Sequence, residues 1–247
     1  MKTALFHLAN KLYEHCYPAY YPLYSAWKAF SDRAERKLLK QILKPGMTVA
    51  DVGANIGIYT RFFAAQLHDH GRVHAFEPSP ANFKHLQENT RHLSNASLNH
   101  AAVGDHNGTT KLFISDDLNV DHRTFDNGEG RDSIDVPMVS LDDYFSPGQR
   151  VDLIKLDVQG YEMSVLSGAQ RILAENAGIN LLMEFWPYGL KQAGVKPMEI
   201  INFFKSRGFH IKLVEKTPSV ELDDEIQFDS ADPGYYRNLL ISKKAIH

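Results

Sequence analysis

The stretch that decides the fold is VADVGANIGIYTRFFAA, from Val49 to Ala65. It begins with a short apolar run and continues with apolar side chains at helical spacing. Gly53 and Gly57 lie between the two halves, where glycine lets a backbone turn tightly and pass close to a ligand. The stretch therefore predicts a strand, a turn and a helix whose first N–H groups face an acceptor such as a carboxylate or phosphate.

Strands and helices alternate along the rest of the chain. VHAFEP, SPANFKHLQENTRHL (with Ser79 as N-cap) and ASLNHAAVG follow as strand, helix and strand. The pattern breaks in residues 105–140, where TTKLFIS and DSIDVPMVSLDDYF predict strands around the polar loop DDLNVDHRTFDNGEGR. It resumes with VDLIKLDVQG, YEMSVLSGAQRILAEN, INLLMEFWP, KPMEIINFFKSRG, FHIKLVEK and YRNLLISKK. Such alternation predicts an α/β domain over residues 46–247, with a parallel sheet, helices on both faces and one insertion.

Residues 1–45 are predicted to form a helical cap on that domain. We expect Pro18 and Pro22 to interrupt the segment. An amphipathic helix that docks on the body is predicted from apolar residues spaced by three and four: Trp27, Phe30, Ala34, Leu38 and Ile42. The aromatic cluster YPAYYPLYSAW has three candidate roles, namely packing in the core or a homodimer interface, lining a substrate entrance, or contacting a membrane surface.

Composition limits the class of protein. The 247 residues carry a net charge of −3, which argues against a nucleic-acid binder that neutralises phosphates. Cys16 is the only cysteine, so neither an internal disulfide nor a cysteine-based zinc site can form, as is typical of reducing compartments. No run of about 18 apolar residues and no secretory signal pattern is present, so the sequence predicts a soluble cytoplasmic protein without a transmembrane segment.

Two acidic residues indicate the ligand. Glu77 ends the second strand, where nucleotide-binding folds carry a carboxylate that accepts hydrogen bonds from ribose hydroxyls. Asp51 lies in an apolar run, where burying a charge is costly unless a cation or a hydrogen bond compensates it. The dinucleotide pattern G-x-G-x-x-G lacks its middle glycine here, and Asp51 would repel a pyrophosphate. S-adenosylmethionine, with its ribose, ammonium and sulfonium groups, fits better, although glycine turns also occur in sheets that bind nothing.

Several stretches resemble the FkbM family of class I S-adenosylmethionine-dependent methyltransferases: DVGANIGIYT, VHAFEPSPANFKHLQEN, AAVGD, VSLDDYF, DLIKLDVQGYEMSVLSGAQRIL and LLMEFWP. They cover most of residues 47–187, and IKLDVQGYE is the most specific. The resemblance implies a Rossmann-like three-layer sandwich with a seven-stranded, mostly parallel sheet and one antiparallel strand. It implies methyl transfer to a hydroxyl of a sugar, glycolipid or natural product, with S-adenosylhomocysteine as the second product.

The resemblance also implies which residues contact the cofactor. These are Asp51, Gly53, Asn55 and Gly57 for the methionine part, Glu77 for the ribose, and backbone groups of Ala102 and Val103 for the adenine edge. Asp157, which ends the fourth main strand beside Gly160, is expected to face the sulfonium end.

In-line methyl transfer requires an aligned acceptor oxygen and gains from a base that removes its proton. Asp157 is one candidate, and it shares a strand face with Lys155 and Gln159. His122 in the polar insertion is the other, because imidazole titrates near physiological pH. The chain has 12 histidines, and a solvated loop histidine is the alternative reading.

Further residues are candidates for acceptor binding. Asn119 and Arg123 lie in the same loop as His122, which Gly128 and Gly130 would allow to act as a lid. Glu184 and Trp186 are expected to form a pocket wall, whereas Glu162 either binds substrate or stabilises a helix dipole. Mg²⁺ between Asp157 and Glu184 is conceivable, but Phe185 stands where another oxygen ligand is expected, so no metal is predicted.

Two other functions remain open at this point. A nicotinamide-dependent oxidoreductase could use a similar sheet and would bind NADH. A methyltransferase-like module could bind cofactor or partner without turnover. The identity of the acceptor is not encoded in these motifs.

Overall fold

A seven-stranded sheet runs through the middle of the molecule, and a three-stranded sheet lies beside it. The computed structural model describes residues 10–115, 122–125, 128, 130–214, 228 and 230–243. The strands are β1 (Thr48–Val52), β2 (Arg72–Phe76), β3 (Ala96–Asn99), β4 (Ala102–Val103), β5 (Gly108–Phe113), β6 (Ser133–Val139), β7 (Leu153–Leu156), β8 (Asn180–Phe185), β9 (His210–Leu213) and β10 (Arg237–Ser242).

Helices cover both faces of the large sheet. Residues 10–15 are helical and are labelled α1. The others are α2 (Tyr17–Ser31), α3 (Arg33–Ile42), α4 (Ile58–Leu67), α5 (Pro80–Thr90), α6 (Leu141–Tyr144), α7 (Glu162–Ser167), α8 (Gln170–Glu175), α9 (Pro187–Gln192) and α10 (Pro197–Lys205). Among the described residues, no helix combines the length and the apolar character that a membrane span needs.

The large sheet has the order β3-β2-β1-β7-β8-β10-β9. All its pairs are parallel except those of β10, which runs antiparallel to both β8 and β9. The predicted mostly parallel seven-stranded sheet with one antiparallel strand is therefore confirmed. The chain builds outward from β1 to β3 and then returns to the other side of β1 with β7. The order of strands thus reverses between β1 and β7, and ligands bind at such a switch point in open α/β sheets.

Each face of the sheet has its own hydrophobic core. On one face, Val49 and Leu153 pack with Phe63 and Leu67 of α4 and with Leu39 of α3. On the other, Ile154 packs with residues of α7, α8 and α10, such as Val165, Ile172 and Phe204. Because α3 shares a core with the sheet, the N-terminal helices are anchored to the body. The boundary at residue 45 stays a prediction.

The N-terminal helices differ from the prediction in two ways. Pro18 lies in the first turn of α2, where proline needs no N–H, and the helix continues through Pro22 instead of stopping. The predicted docking face is also wrong, because Trp27 and Phe30 are 50% and 69% exposed. The face that α3 buries instead carries Glu35 and Leu39. The chain bends at Asp32 between the two helices, so one continuous periodicity does not apply.

Several predicted elements are divided in the structure. ASLNHAAVG forms two strands, β3 in the large sheet and β4 in the small one, where β4 pairs with β6 and β6 with β5. The segment 132–145 leaves its strand at Val139, and Ser140 caps the short helix α6. The predicted helix from Tyr161 to Asn176 is broken at Gly168 into α7 and α8. The short helix α9 was not predicted.

Candidate functional site

The strand register brings charged groups together at the switch point. Asp51 on β1 pairs with Lys155 on β7. Leu156 pairs with Met183 on β8, so Asp157 and Glu184 follow at the same level on neighbouring strands. All four side chains belong to one face of the sheet near its carboxyl edge, because alternate residues of a strand share a face. The site therefore begins as a row of three carboxylates and one ammonium group.

Asp51 is fully buried and only partly satisfied. The Thr60 hydroxyl donates to its Oδ2 at 2.6 Å, whereas its Oδ1 has no hydrogen-bond partner among the described residues. Burial raises the pKa of Asp51, and the Lys155 ammonium partly offsets that effect. Lys155 and Thr60 thus provide part of the compensation that the buried Asp51 carboxylate needs, and its Oδ1 receives no hydrogen bond from the described residues.

The two glycines of the loop after β1 are required by packing within the protein. A β-carbon at Gly57 (φ +88°) would lie 2.8 Å from a methyl group of Leu86. Gly53 (φ +79°) lies against the backbone of Asp157. Asn55 also has a positive φ of 50°, and its side-chain oxygen accepts from the N–H of Ile56. The loop is therefore shaped by its own contacts before any ligand binds.

Glu77 fixes this loop from the neighbouring strand. It is 5% exposed, and its two oxygens accept from the N–H groups of Asn55 and Ser79 at 2.8 and 2.9 Å. Burial raises the pKa of Glu77 to about 7, although these backbone N–H groups oppose the shift. The Asn82 side chain also bonds to Glu77, and since a carboxylate offers about four acceptor positions, Glu77 retains capacity for a further donor such as a ribose hydroxyl.

Asp157 and Glu184 are joined by a single amide. Gln159 has a positive φ of 53°, and its Nε2 donates to Asp157 Oδ1 at 2.8 Å and to Glu184 Oε2 at 3.2 Å. Lys155 Nζ lies 3.2 Å from the other oxygen of Asp157. Lys155, Asp157 and Gln159 thus converge as expected, although Gln159 lies in the turn after β7 and not on a strand face.

The pKa values of Asp157 and Glu184 are shifted in opposite directions. Burial opposes the ionisation of Asp157, but Lys155 and Lys28 outweigh it and hold the pKa of Asp157 below its usual value. Burial and the charge of Asp157 raise the pKa of Glu184 to about 8. One carboxylate is therefore held as an anion, while its neighbour titrates close to neutral pH.

A cavity of about 520 Å³ contains both ends of this arrangement. Its wall includes Glu77 on one side and Asp157 and Glu184 on the other. Most of the predicted site residues line it: Gly53, Asn55, Glu77, Ala102, Val103, His122, Arg123, Asp157, Glu184 and Trp186. The volume lies in the range of small-molecule sites, roughly 300–1,000 Å³.

Three predicted site residues stand behind the cavity wall. Asp51 and Gly57 support the loop and strand from beneath, as described above. Glu162 is 2% exposed, and its Oε1 accepts from the N–H of Gly160 at 3.2 Å at the start of α7. Burial raises the pKa of Glu162 to about 7. The helix-end alternative for Glu162 fits this position better than substrate binding.

His122 lies in the cavity wall with one ring nitrogen engaged. Its Nδ1 accepts from the backbone N–H of Ser115 at 3.1 Å. A neutral imidazole that accepts at Nδ1 carries its proton on Nε2. In that tautomer Nε2 is a hydrogen-bond donor, whereas the predicted role of His122 as a base needs a nitrogen that can accept a proton.

Of the other two site residues predicted in the insertion, the structure describes Arg123 but not Asn119. Arg123 is 6% exposed, forms a backbone bridge with Phe113, and places its guanidinium 5.2 Å from the ring centre of Trp186. Trp186 Nε1 donates to the carbonyl oxygen of Pro233 at 2.9 Å. Asn119 lies outside the described residues. The role proposed for the loop as a lid stays a prediction.

The N-terminal helix α2 contributes Tyr24, from the aromatic cluster with a predicted candidate role at a substrate entrance, and Lys28, which sequence reasoning missed. Lys28 and Tyr24 line the cavity, and so does Tyr236 from the segment before β10. Lys28 Nζ lies 2.7 Å from Asp32. Its charge lowers the pKa of Asp157 and partly offsets the rise in the pKa of Glu184. The available signal was that Lys28 is the only charged residue in YPAYYPLYSAWKAFS.

A second cavity, of about 680 Å³, adjoins the first. The two share wall residues that include Lys28, Asp157 and Glu184. Its remaining wall comes mainly from α2, α3 and β10 and has both apolar and polar residues, with Asp32 and Glu35 among the polar ones. Within the described part of the chain, no three His, Cys, Asp or Glu side chains are grouped as a metal site.

Comparison with known proteins identifies the family. The model of the methyltransferase FkbM domain matches residues 51–211. The chain is 41% identical over 76 residues to the 31-O-demethyl-FK506 methyltransferase FkbM of Streptomyces tacrolimicus, covering 30% of this chain and 29% of that protein. It is 28% identical over 160 residues to the 2-O-methyltransferase NoeI of Sinorhizobium fredii, covering 58% and 65% respectively. The structure of the methyltransferase FkbM from Methylobacillus flagellatus matches with a TM-score of 0.53 at 16% identity, over 84% of this chain and 50% of that one.

The two curated relatives are each matched over less than two thirds of their own length. The domain match, in contrast, covers well over half of this chain and includes all of the predicted site residues. Both the resemblance and the fold class predicted from it are confirmed. This chain belongs to the FkbM methyltransferase family.

Proposed function

We propose that this chain is an S-adenosylmethionine-dependent O-methyltransferase that acts on a hydroxyl of a sugar, glycolipid or natural-product acceptor. The observation that carries the proposal is the first cavity, whose wall holds the Glu77 carboxylate and the Asp157–Gln159–Glu184 group. Membership of a methyltransferase family supports the reaction class. The two relatives named as O-methyltransferases support the choice of oxygen.

The residues present fit S-adenosylmethionine. Glu77 has acceptor capacity for a ribose hydroxyl, and Ala102 and Val103 contribute apolar wall where adenine would lie. The anionic Asp157, which lines the cavity, gives negative potential where the ammonium and sulfonium groups are needed. When bound, the cofactor supplies an electrophilic methyl group on a positively charged sulfur.

Glu184 is the best-placed base for the acceptor hydroxyl. Its pKa of about 8 suits proton acceptance near neutral pH better than the depressed pKa of Asp157 does. It lines both cavities, so an acceptor that enters through the second cavity meets it at the boundary. Asp157 keeps its charge and, through Gln159, fixes the orientation of the Glu184 carboxylate.

For His122 we propose acceptor positioning in place of proton removal. It lies in the cavity wall, and its Nδ1 already accepts from the N–H of Ser115. Arg123 lies over the Trp186 ring, and both side chains line the cavity. His122, Arg123 and Trp186 are therefore proposed to orient the acceptor.

Calorimetric titration with S-adenosylhomocysteine, with NADH titrated in parallel, tests the cofactor. We expect micromolar binding of the sulfur compound, no NADH binding, and at least about tenfold weaker binding in Glu77→Ala, since a hydrogen bond to a charged group is lost. Glu199→Ala, an exposed substitution on α10, is the matched control. NADH binding alone would favour the oxidoreductase and overturn the proposal.

Transfer of a labelled methyl group to panels of sugars, glycolipids and natural products tests the reaction. We expect product with at least one hydroxyl-bearing class and a loss of turnover of about 10²-fold or more in Glu184→Gln. Cofactor binding without transfer to any panel, and unchanged biological activity in Asp157→Ala, would favour the non-catalytic binding module instead.

A further inference from the structure

The solvent-facing side of α2 is entirely apolar. Its exposed residues are Pro18, Ala19, Pro22, Leu23, Ala26, Trp27, Ala29 and Phe30. Leu23, Trp27 and Phe30, here called the apolar stripe, are 64%, 50% and 69% exposed and recur at helical spacing. The only charged side chain of the helix, Lys28, turns inward to Asp32 and the cavities. Soluble proteins rarely leave such a contiguous apolar face uncovered.

A row of cations continues this face along the next helix. Arg33, Lys37 and Lys40 of α3, together with Lys44 just beyond its end, are all exposed and are here called the basic stripe. Arg33, Lys37 and Lys40 lie opposite the buried side of α3, which carries Glu35 and Leu39. No described acidic side chain forms an ion pair with Lys37, Lys40 or Lys44.

The two stripes are joined across the bend at Asp32. The guanidinium of Arg33 lies 4.9 Å from the ring centre of Phe30, which makes the apolar and basic surfaces continuous. An apolar helix face flanked by lysine and arginine is the arrangement that binds anionic membrane surfaces. The cations are concentrated here although the whole chain carries a net charge of −3.

We propose that the apolar and basic stripes form a membrane-docking face for anionic lipid bilayers. The apolar stripe inserts among the acyl chains near the headgroups, and the basic stripe contacts anionic headgroups. Charge complementarity favours this occupant over a second copy of the chain, because close packing of two such faces would bring rows of like charge together.

Docking would place the active site at the bilayer surface. The wall of the second cavity extends from the exposed Trp27, Phe30 and Arg33 to Asp157 and Glu184. A hydroxyl carried by a membrane-anchored molecule could therefore reach Glu184 from the lipid side. This consequence rests on the proposed function, whereas the membrane contact itself does not.

Flotation with lipid vesicles tests the docking face. We expect the wild-type chain to float with vesicles of equal parts phosphatidylcholine and phosphatidylglycerol, to bind phosphatidylcholine alone more weakly, and to be released by high salt. Lys37→Gln with Lys40→Gln should weaken binding to the mixed vesicles by about fivefold for each lysine. Leu23→Asn with Phe30→Asn should weaken binding to both vesicle types. The matched control, Lys84→Gln with Met198→Asn, changes exposed residues elsewhere and should bind as wild type does.

Two results would overturn the docking face. One is wild-type protein that fails to float with the mixed vesicles, or paired lysine variants that float as well as wild type. The other is a wild-type dimer that Leu23→Asn with Phe30→Asn converts to monomer, which would assign the face to a second copy. Thermal unfolding verifies that each variant is folded. Retained S-adenosylhomocysteine binding in the lysine variant separates loss of membrane binding from failure of the proposed function.

Discussion

The loop after β1 and the end of β7 are in direct backbone contact, because a β-carbon at Gly53 would overlap the carbonyl oxygen of Asp157. The Asp157 N–H in turn donates to the carbonyl oxygen of Val52 at 3.1 Å. The proposed cofactor loop and the proposed catalytic strand are thus one rigid unit. A shift in either one moves the other.

Replacement of Gly53 by alanine should therefore be strongly destabilising. The added methyl group meets a backbone atom that cannot rotate away, and the φ of +79° is unfavourable for alanine. We expect a loss of about 2 kcal/mol or more in the free energy of unfolding, measured by chemical denaturation. Gly178→Ala is the control, since open space surrounds that position. Equal stability of the two variants would contradict the contact.

The glycine motif shows how far sequence reasoning reaches. The strand, turn and helix around Gly53 and Gly57 were predicted correctly because hydrophobic periodicity and glycine placement are local signals. The reason for the glycines was not recoverable, because it lies in contacts with Asp157 and Leu86 that only the folded chain brings together. The sequence pattern therefore predicts which element forms, whereas the contacts that require its glycines are visible only in the folded structure.

The N-terminal helices show the corresponding failure. The sequence has an apolar periodicity through Trp27 and Phe30, yet the chain buries Glu35, whose Oε1 accepts from Asn238 at 2.7 Å. That partner is 203 residues away, so no local pattern reveals it. The ion pair of Lys28 with Asp32 is local, four residues along the chain. The effect of Lys28 on Asp157 and Glu184 was missed because these carboxylates are far away in the sequence.

The charge of Asp157 should control the titration of Glu184. Asp157→Asn removes a nearby negative charge, so the ionised form of Glu184 becomes easier to reach. We expect the pKa of Glu184 to fall from about 8 by about one pH unit or more. Carboxyl ¹³C shifts of glutamate-labelled protein measure it without any acceptor, and Glu184→Gln assigns the resonance. An unchanged pKa of Glu184 in Asp157→Asn would mean that the charge of Asp157 does not act on Glu184.

Lys28 should act on the same group with the opposite sign. Its ammonium lowers the pKa of Glu184, so Lys28→Met should raise that pKa above about 8 in the same ¹³C experiment. Lys84→Met removes an exposed cation elsewhere and should leave the resonance unchanged. A result in which both lysine variants titrate alike would mean that α2 does not contribute charge to the site.

Glu162 should make the stability of the protein depend on pH. It is buried, one of its oxygens has no hydrogen-bond partner among the described residues, and burial raises its pKa to about 7. Between its ordinary value near 4.5 and about 7, the folded chain holds a proton that the unfolded chain releases. Its contribution to stability therefore falls as the pH rises through this window and is constant above it.

Glu162→Gln removes the buried charge and keeps an oxygen for the Gly160 N–H. The variant should match wild type near pH 4.5 and become more stable as the pH rises, by on the order of 3 kcal/mol above pH 7. Thermal unfolding across this range measures the difference as several degrees in Tm. Glu199→Gln, on the surface of α10, should show no such trend. Equal Tm values for Glu162→Gln and wild type at pH 8 would mean that Glu162 finds a compensating partner.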